Sequence, residues 1–559
     1  MSCRIDELQI PLALNGMTIM RDVRLFALGL TTAAISLITL SGFPAPSSAQ
    51  TPTAAPPPPQ IKALAPKLNC NGVPFAIPFS DPFEGPLALR DLPDPKKVIP
   101  VNDQIKTLIL NSDLPCQEKV STGLPPTAGP EKESLENLQR GFDFYSWRTF
   151  IALNAPADSR ATIDHSQADM PTRWEDMDNF KQLLDVMLPV GTNPAASWPA
   201  DKNAMEAEKV RLMPEACRAL YKPGKMVVKM IEESFNEPFK TGPLIDQQGH
   251  YAIFDILMNR QMFEYIMRNH LNTKAGQMAA PNTFAVDFPP GQNLDPKNKD
   301  VVADLGAFML KVSWKILGPG EIEARNFHMV DALVSMPVRN GSTAKPPCLP
   351  EKLGLIGFHA VHKTATRPQW IWTSFEHIQN VPDRNEVTAK TFHGPYHFFS
   401  TSCSRDDCPA ENATPPREFW QPDLALKLEF GDTFRSQIVR ETPLTDAARH
   451  MNDIFHNILK GTVWVNYMLL STQWPSNFGC TNLHTDFLRQ PDMTCSPAPT
   501  YFANSTLETY SQGEIPMASS SCIACHGNAV SFQTGASNQK PGELRFNQSD
   551  FTFILEKAQ

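Results

Sequence analysis

Cys522-Ile523-Ala524-Cys525-His526, followed by only 33 further residues of a 559-residue sequence, is the stretch whose residue types and spacing specify a chemistry. Two thiols three positions apart stand one helical turn from each other. Each can then form a thioether to one of the two vinyl groups of a porphyrin. The histidine that follows is carried beneath the ring, where an imidazole binds iron. Other uses of Cys-x-x-Cys fit less well. A thioredoxin-like pair stands early in a βαβ pattern, whereas this one is C-terminal and runs into Gly527-Asn528. A structural zinc site needs a second ligand pair at short spacing, and none lies nearby. The spacing therefore points to one covalent haem c, with Cys522 and Cys525 as anchors and His526 as the proximal ligand of the iron.

The sixth position of the iron decides what such a group does. A histidine or methionine there makes an electron carrier, and a vacancy makes a site for a small ligand or oxidant. The candidates are His359, His362, His377, His393, His397 and Met517. His359 and His362 on one strand face opposite ways, so at most one of them can serve. Glu376-His377 resembles an acid–base pair, but neighbours on a strand point to opposite faces. Trp370 and Trp372 have the character of a haem-pocket lining or of ordinary aromatic core. A compact cytochrome domain wraps its ring with the segment after the motif, using a methionine, and none follows Met517. The ring must be enclosed by what precedes it.

Those preceding elements change character along the chain. Glu131–Asn154 has apolar positions at Leu135, Leu138, Phe142, Tyr145 and Phe150, a helical recurrence. Tyr251–His270 predicts a second, buried helix, with His270 at its C-terminal dipole. Strict alternation over Phe308–Ile316 predicts a half-buried strand, and 327–336, 353–363 and 369–378 also read as strands. Leu444–Ser471 returns to helical character, Gln473–Thr500 reads as loop, and Ser505–Ser511 and Asp550–Ala558 as short elements. The fold class expected is α+β: a largely antiparallel sheet with flanking helices and long Pro-rich loops, the haem site lying in the C-terminal segment. The 52 prolines argue against a helical bundle.

Targeting and charge narrow the setting. Arg21 and Arg24, the apolar run from Leu25 to Leu40 and Ser47-Ser48-Ala49 form a secretory signal over 1–49, too short and wrongly flanked for a membrane span. A Pro-rich linker (50–65) then leads into a single body (66–559), of which 500–559 is the haem-attachment segment. Residues 1–49 carry three bases and three acids, so the net charge of −9 survives their removal. Nucleic acid and anionic membrane are poor partners for that surface. Eight cysteines remain once Cys3 leaves and the motif is set aside, an even number that suits disulfides in an oxidising compartment. Cys403–Cys408 and Cys480–Cys495 close the shortest loops. Signatures of nucleotide, zinc-protease and serine-hydrolase sites are missing.

The runs Phe144-Tyr-Ser-Trp-Arg-Thr-Phe-Ile-Ala-Leu-Asn, Gln369-Trp-Ile-Trp-Thr-Ser-Phe-Glu-His, Asn466-Tyr-Met-Leu-Leu-Ser-Thr-Gln-Trp and Asn504-Ser-Thr-Leu-Glu-Thr-Tyr, with the motif itself, carry a resemblance. The chain resembles large bacterial proteins of the cytochrome c family with a single C-terminal haem motif and no established substrate. The resemblance implies haem c on Cys522, Cys525 and His526, attached outside the cytoplasm, hence a periplasmic protein. Motif placement is also similar to that of small hydroxylamine-oxidising and nitric-oxide-binding cytochromes, which are far shorter. Three functions follow as expectations. The first is an electron carrier working with a redox partner protein. The second is a haem-dependent oxidoreductase with an open distal site for peroxide or a small nitrogen or oxygen compound. The third is a binding module with haem as a redox tail.

Overall fold

Alternating residues build the centre of the molecule, a nine-stranded sheet. In the computed structural model the described residues are 70–71, 114–116, 131–157, 162–188, 213–223, 227–230, 241–280, 284–292, 302–335, 348–403, 408–416, 434–475, 497–513, 520–527, 529–531 and 549–559, with a few single positions between them. In chain order the elements that matter are α1 (Glu131–Asn154), β1 (Phe180–Gln182), β2 (Val227–Met230), β3 (Ile253–Asn259), α2 (Arg260–Arg268), β4 (Phe308–Ile316) and α3 (Pro319–Ala324). They continue with β5 (Met329–Ser335), β6 (Cys348–Thr364), β7 (Arg367–His377), α4 (Asp446–Ile458), β8 (Tyr467–Pro475), β9 (Pro497–Ala498) and α5 (Cys522–His526). The strands run β9-β8-β7-β6-β4-β3-β1, with β5 on the free half of β6 and β2 beyond it. Every pairing is antiparallel except β2 with β5. The fold is α+β, as the alternation of hydrophobicity indicated.

The centre of the sheet is β6, whose residues opposite β4 and β7 set the register: His359 lies across from Lys311 on one side and Ser374 on the other. Even-numbered β4 residues and Phe358, Phe375 and Leu469 form one face, packed by α1 and α4. From Gly141 to Asn154 every residue of α1 is buried, polar ones included. That exceeds the stripe the helical period implies, because α4 covers the side that the sheet does not. Phe150 stacks on Phe375 at 4.1 Å and Trp147 on Phe455 of α4 at 4.6 Å. Ser146 hydrogen-bonds Thr373 and Thr472 on the sheet, at 2.7 and 2.6 Å. Buried polar groups placed among apolar ones in this way fix the rotation of the helix as well as its position.

The opposite face corrects an expectation. Strand β4 alternates as read, yet its Met309, Ser313 and Lys315 are buried too, and only Lys311 keeps partial exposure. Segments 284–292, 502–508, 520–527 and 549–558, with α2, cover this second face. Buried lysines there are tolerated because each meets a carboxylate, a condition that burial of charge imposes.

Two helix expectations need revision for the same reason. Tyr251–His270 divides into β3 and α2, with the Asn259 side chain capping α2 by accepting from Met262 N at 3.2 Å. His270 lies beyond that helix, exposed, in the left-handed region. Leu444–Ser471 divides into α4, a short turn at Val463–Asn466, and β8, which extends to Pro475 into the stretch read as loop. A strand covered on both faces is apolar throughout, and period alone does not separate it from a buried helix.

Contacts group Ala63–Gln559 into one compact unit. Among the described residues, disulfides join Cys70 to Cys116, Cys217 to Cys348 and Cys403 to Cys408, the last as expected from its short loop. The signal and linker segments, Met517 and the Cys480–Cys495 pairing lie outside the described residues. Among the described residues no helix is long and apolar enough to cross a membrane.

Candidate haem-attachment site

Helix α5 is a single turn and a half, and its neighbours hold it. Ser521 caps it, its hydroxyl accepting from Ala524 N at 3.3 Å. Gln473, on β8, accepts from Ile523 N at 2.9 Å and donates to the Pro499 carbonyl at 2.7 Å. Ile523 and Ala524 point into the covered face, whereas Cys522, Cys525 and His526 are half-buried. The three residues with chemistry therefore share the outer flank of the turn, as their spacing requires.

His526 is the most constrained of the three. Its Nδ1 hydrogen-bonds the Phe551 carbonyl at 2.8 Å. Because a carbonyl only accepts, Nδ1 carries the hydrogen and Nε2 keeps its lone pair, the tautomer that a metal-binding imidazole needs. Burial drives the pKa down to about 4, against the opposing pull of that hydrogen bond. The ring is neutral near pH 7. Trp372 of β7 lies against it with ring centroids 4.4 Å apart, and Phe553 at 5.0 Å.

The Phe551 carbonyl is itself held by strain. Trp370, Asp550 and Phe551 all have φ between 50° and 66°, the left-handed region that bulky side chains avoid. Each such residue costs on the order of 1–3 kcal/mol and persists only where its surroundings insist on it. Here the insistence comes from Asp550, which is fully buried. One carboxylate oxygen accepts from Lys363 Nζ and Phe288 N, both at 2.7 Å, and the other from Trp370 Nε1 at 3.3 Å. Trp370 sits where the β6–β7 ladder shifts register, between Thr364 and His362. Strain at three meeting residues, beside a histidine with a fixed tautomer, marks a functional locus.

Cys522 and Cys525 are outside any disulfide. Burial, then the nearby negative charge of Glu508, raises the pKa of Cys522 well above the ordinary thiol value, and the same causes push Cys525 up to about 11. A redox-active pair needs the reverse, a thiolate stabilised near neutrality. Among the described residues no three His, Cys, Asp or Glu side chains converge as a metal-binding group. Residues and geometry fit a haem: two thiols outside any disulfide on one flank, a neutral imidazole with Nε2 free of hydrogen, and an aromatic wall.

Of the distal candidates, His359 faces the covered side, its Nε2 2.9 Å from Glu508, and its charge acts on His526. Burial works to raise the pKa of Glu508, but His359 and Lys311 outweigh it and hold the carboxyl at about 2. His362 faces the other way, as strand alternation requires: Nε2 donates to the Leu305 carbonyl and Nδ1 accepts from the Tyr145 hydroxyl. Both ring nitrogens of His377 are engaged, with Asn326 O at 3.2 Å and Gln379 N at 3.3 Å. His397 pairs with Glu321 at 3.2 Å, and His393 is a surface residue beside Glu386. The site thus unites His526 with Trp372 and Glu508 and leaves His362, His377, His393 and His397 elsewhere.

Sequence reasoning missed Gln473, Asp550 and the Phe551 carbonyl. Gln473 did carry a signal: a lone amide within the apolar run Tyr467-Met-Leu-Leu-Ser-Thr-Gln-Trp needs a buried partner. No family model, no curated protein and no solved structure matches this chain.

Proposed function

We propose that this chain is an exported c-type cytochrome that carries one covalent haem on Cys522 and Cys525, with His526 Nε2 as the proximal ligand, and transfers electrons to or from a partner in the periplasm. When bound, haem supplies a one-electron iron couple. The protein's part is to hold: Gln473 and Ser521 fix the turn that bears the thiols, and the Phe551 carbonyl keeps the hydrogen of His526 on Nδ1. Trp372 and Phe553 shield the imidazole from water, and Glu508 places negative charge near the attachment point, which favours the more positive oxidation state. The observation that carries the reading is the motif on one flank, with neither thiol in a disulfide and the imidazole pre-set in its ligating tautomer.

The test is production in a bacterium competent for haem attachment. The mature protein is expected to gain the mass of one haem and a c-type visible spectrum, and Cys522→Ser/Cys525→Ser to be colourless yet folded by circular dichroism. A colourless wild type overturns the proposal.

A second reading, a haem enzyme with an open distal position, draws support from the engagement of His362, His377 and His397 with other partners. Carbon monoxide separates the two. Low-spin iron that ignores the gas supports the carrier, and rapid binding supports the enzyme.

A further inference from the structure

A pocket of about 330 Å³ opens between α3 and residues 395–397, lined by Asp246, Lys315, Glu321, Phe327, Tyr396 and His397 among others. That volume is at the low end of ligand sites, which run from roughly 300 to 1,000 Å³. Its floor is charged and buried. Lys315, 2% exposed, meets both oxygens of Glu321, at 2.6 and 2.7 Å, and Asp246 Oδ2 at 3.3 Å; Asp246 is 1% exposed. Two carboxylates against one ammonium leave the pocket one negative charge.

Its hydrogen-bonding capacity is also unbalanced. His397 turns Nδ1 toward Glu321, which leaves Nε2 as an acceptor, and that nitrogen is buried with no hydrogen-bond partner. Asp246 Oδ2 is buried and likewise accepts no hydrogen bond, though it keeps its ion pair with Lys315. Buried acceptors without donors are costly and call for an explanation, a ligand or water among them. The aromatic wall adds a preference. Phe327 stacks on His377 at 4.2 Å and tilts over His397 at 5.0 Å, and Tyr396 stands beside it. Ring faces attract cations.

We propose that this pocket binds a small primary ammonium ion with a short apolar chain. The ammonium donates to His397 Nε2 and Asp246 Oδ2, its charge cancels the excess carboxylate, and the chain lies along Phe327 and Tyr396. The inference is independent of what the Cys522–His526 turn carries. It reads a second site, remote in chemistry from the first.

The test uses the full mature protein and three probes of one shape: butylammonium, butanol and butyrate, titrated calorimetrically. Butylammonium is expected to bind about tenfold or more tighter than butanol, the worth of a charge-assisted hydrogen bond, and butyrate not at all. Equal responses to the three, or no heat with butylammonium, overturn the proposal and leave water as the occupant. Gly320 lines the same pocket, and a Cβ built on it meets no atom within 4 Å. Gly320→Leu, at the exposed rim of the pocket, is therefore expected to weaken binding without lowering the melting temperature. Undiminished binding in that variant overturns the assignment. His397→Leu is expected to weaken butylammonium about tenfold while leaving butanol unaffected; if it fails to fold, Gly320→Leu decides.

Discussion

His526 keeps its hydrogen on Nδ1 only while the Phe551 carbonyl stays in place, and that carbonyl depends on Asp550, which shares Lys363 with Asp287. Asp550 is fully buried in this pair, whereas Asp287 is 64% exposed. Burial raises the pKa of Asp550, with the Lys363 ammonium working against the rise. Breaking a buried pair strands a charge; breaking an exposed one does little. Asp550→Asn is expected to cost about 3–5 kcal/mol in urea unfolding and Asp287→Asn less than about 1 kcal/mol. Equal losses would refute the clamp. Little of this was legible in the sequence. Cys522, Cys525 and His526 stand out in the sequence by their spacing, and Trp370 and Trp372 read as either pocket lining or aromatic core; both are buried in the core. Asp550 does not stand out, since an acid near three aromatic residues signals nothing until the fold brings Lys363 and Trp370 to it.

The element that joins the sheet to α5 is the segment 502–508. Asn504 donates to Ser374 Oγ at 2.8 Å and to the Phe375 carbonyl at 3.0 Å. Ser505 binds Glu376 through backbone N and hydroxyl, and Glu376 in turn receives Arg440 at 2.9 Å. Lys311 donates to the Leu507 carbonyl at 2.9 Å. Such close approach needs Gly357 beneath it, because a Cβ there would collide with the hydroxyls of Thr506 and Ser313. Gly357→Val is expected to destabilise the protein by about 1–3 kcal/mol. The amides of Ser505 and Thr506 should exchange with deuterium faster in that variant; unchanged exchange would show that the segment is held elsewhere. At this scale the sequence was informative where one face differed from the other. Strand β4 was read to its true ends, and the strands around β6 and β7 to within a few residues. Strands β3 and β8 were mistaken for helix because both their faces are covered.

For the molecule as a whole, the buried titrating groups set an acid limit. Burial brings His362 down to about 4 and His377 well below its ordinary value. Each is neutral in the fold and gains a proton more readily when unfolded. Their contribution is complete above pH 6.5 and is lost as pH falls toward 4. Glu508 and Glu321, both held at about 2, lose theirs between pH 4.5 and 2. Asp143 runs the other way: burial lifts it to about 7, so what it contributes is present below pH 3.8 and fades as pH rises through 7. His397, His456 and His526 are likewise depressed by burial and Asp550 is likewise raised, so five histidines stand against two aspartates, and stability is expected to fall by at least about 2–4 kcal/mol from pH 6.5 to 4. Denaturant melts across that range check this, and Asp143→Asn should steepen the decline. A flat profile would refute it.

The segments that roof the charged side of the sheet at α5 follow all nine strands in chain order. The platform can therefore assemble while its lid is still loose. Until the lid closes, Lys363 can stay hydrated, because its buried partner Asp550 lies in the last of those segments. Closure then trades water for Asp550 at Lys363 and for the amide and hydroxyl of Ser505 at Glu376. The stretch that bears Cys522, Cys525 and His526 would thus also act as the latch that seals the finished protein.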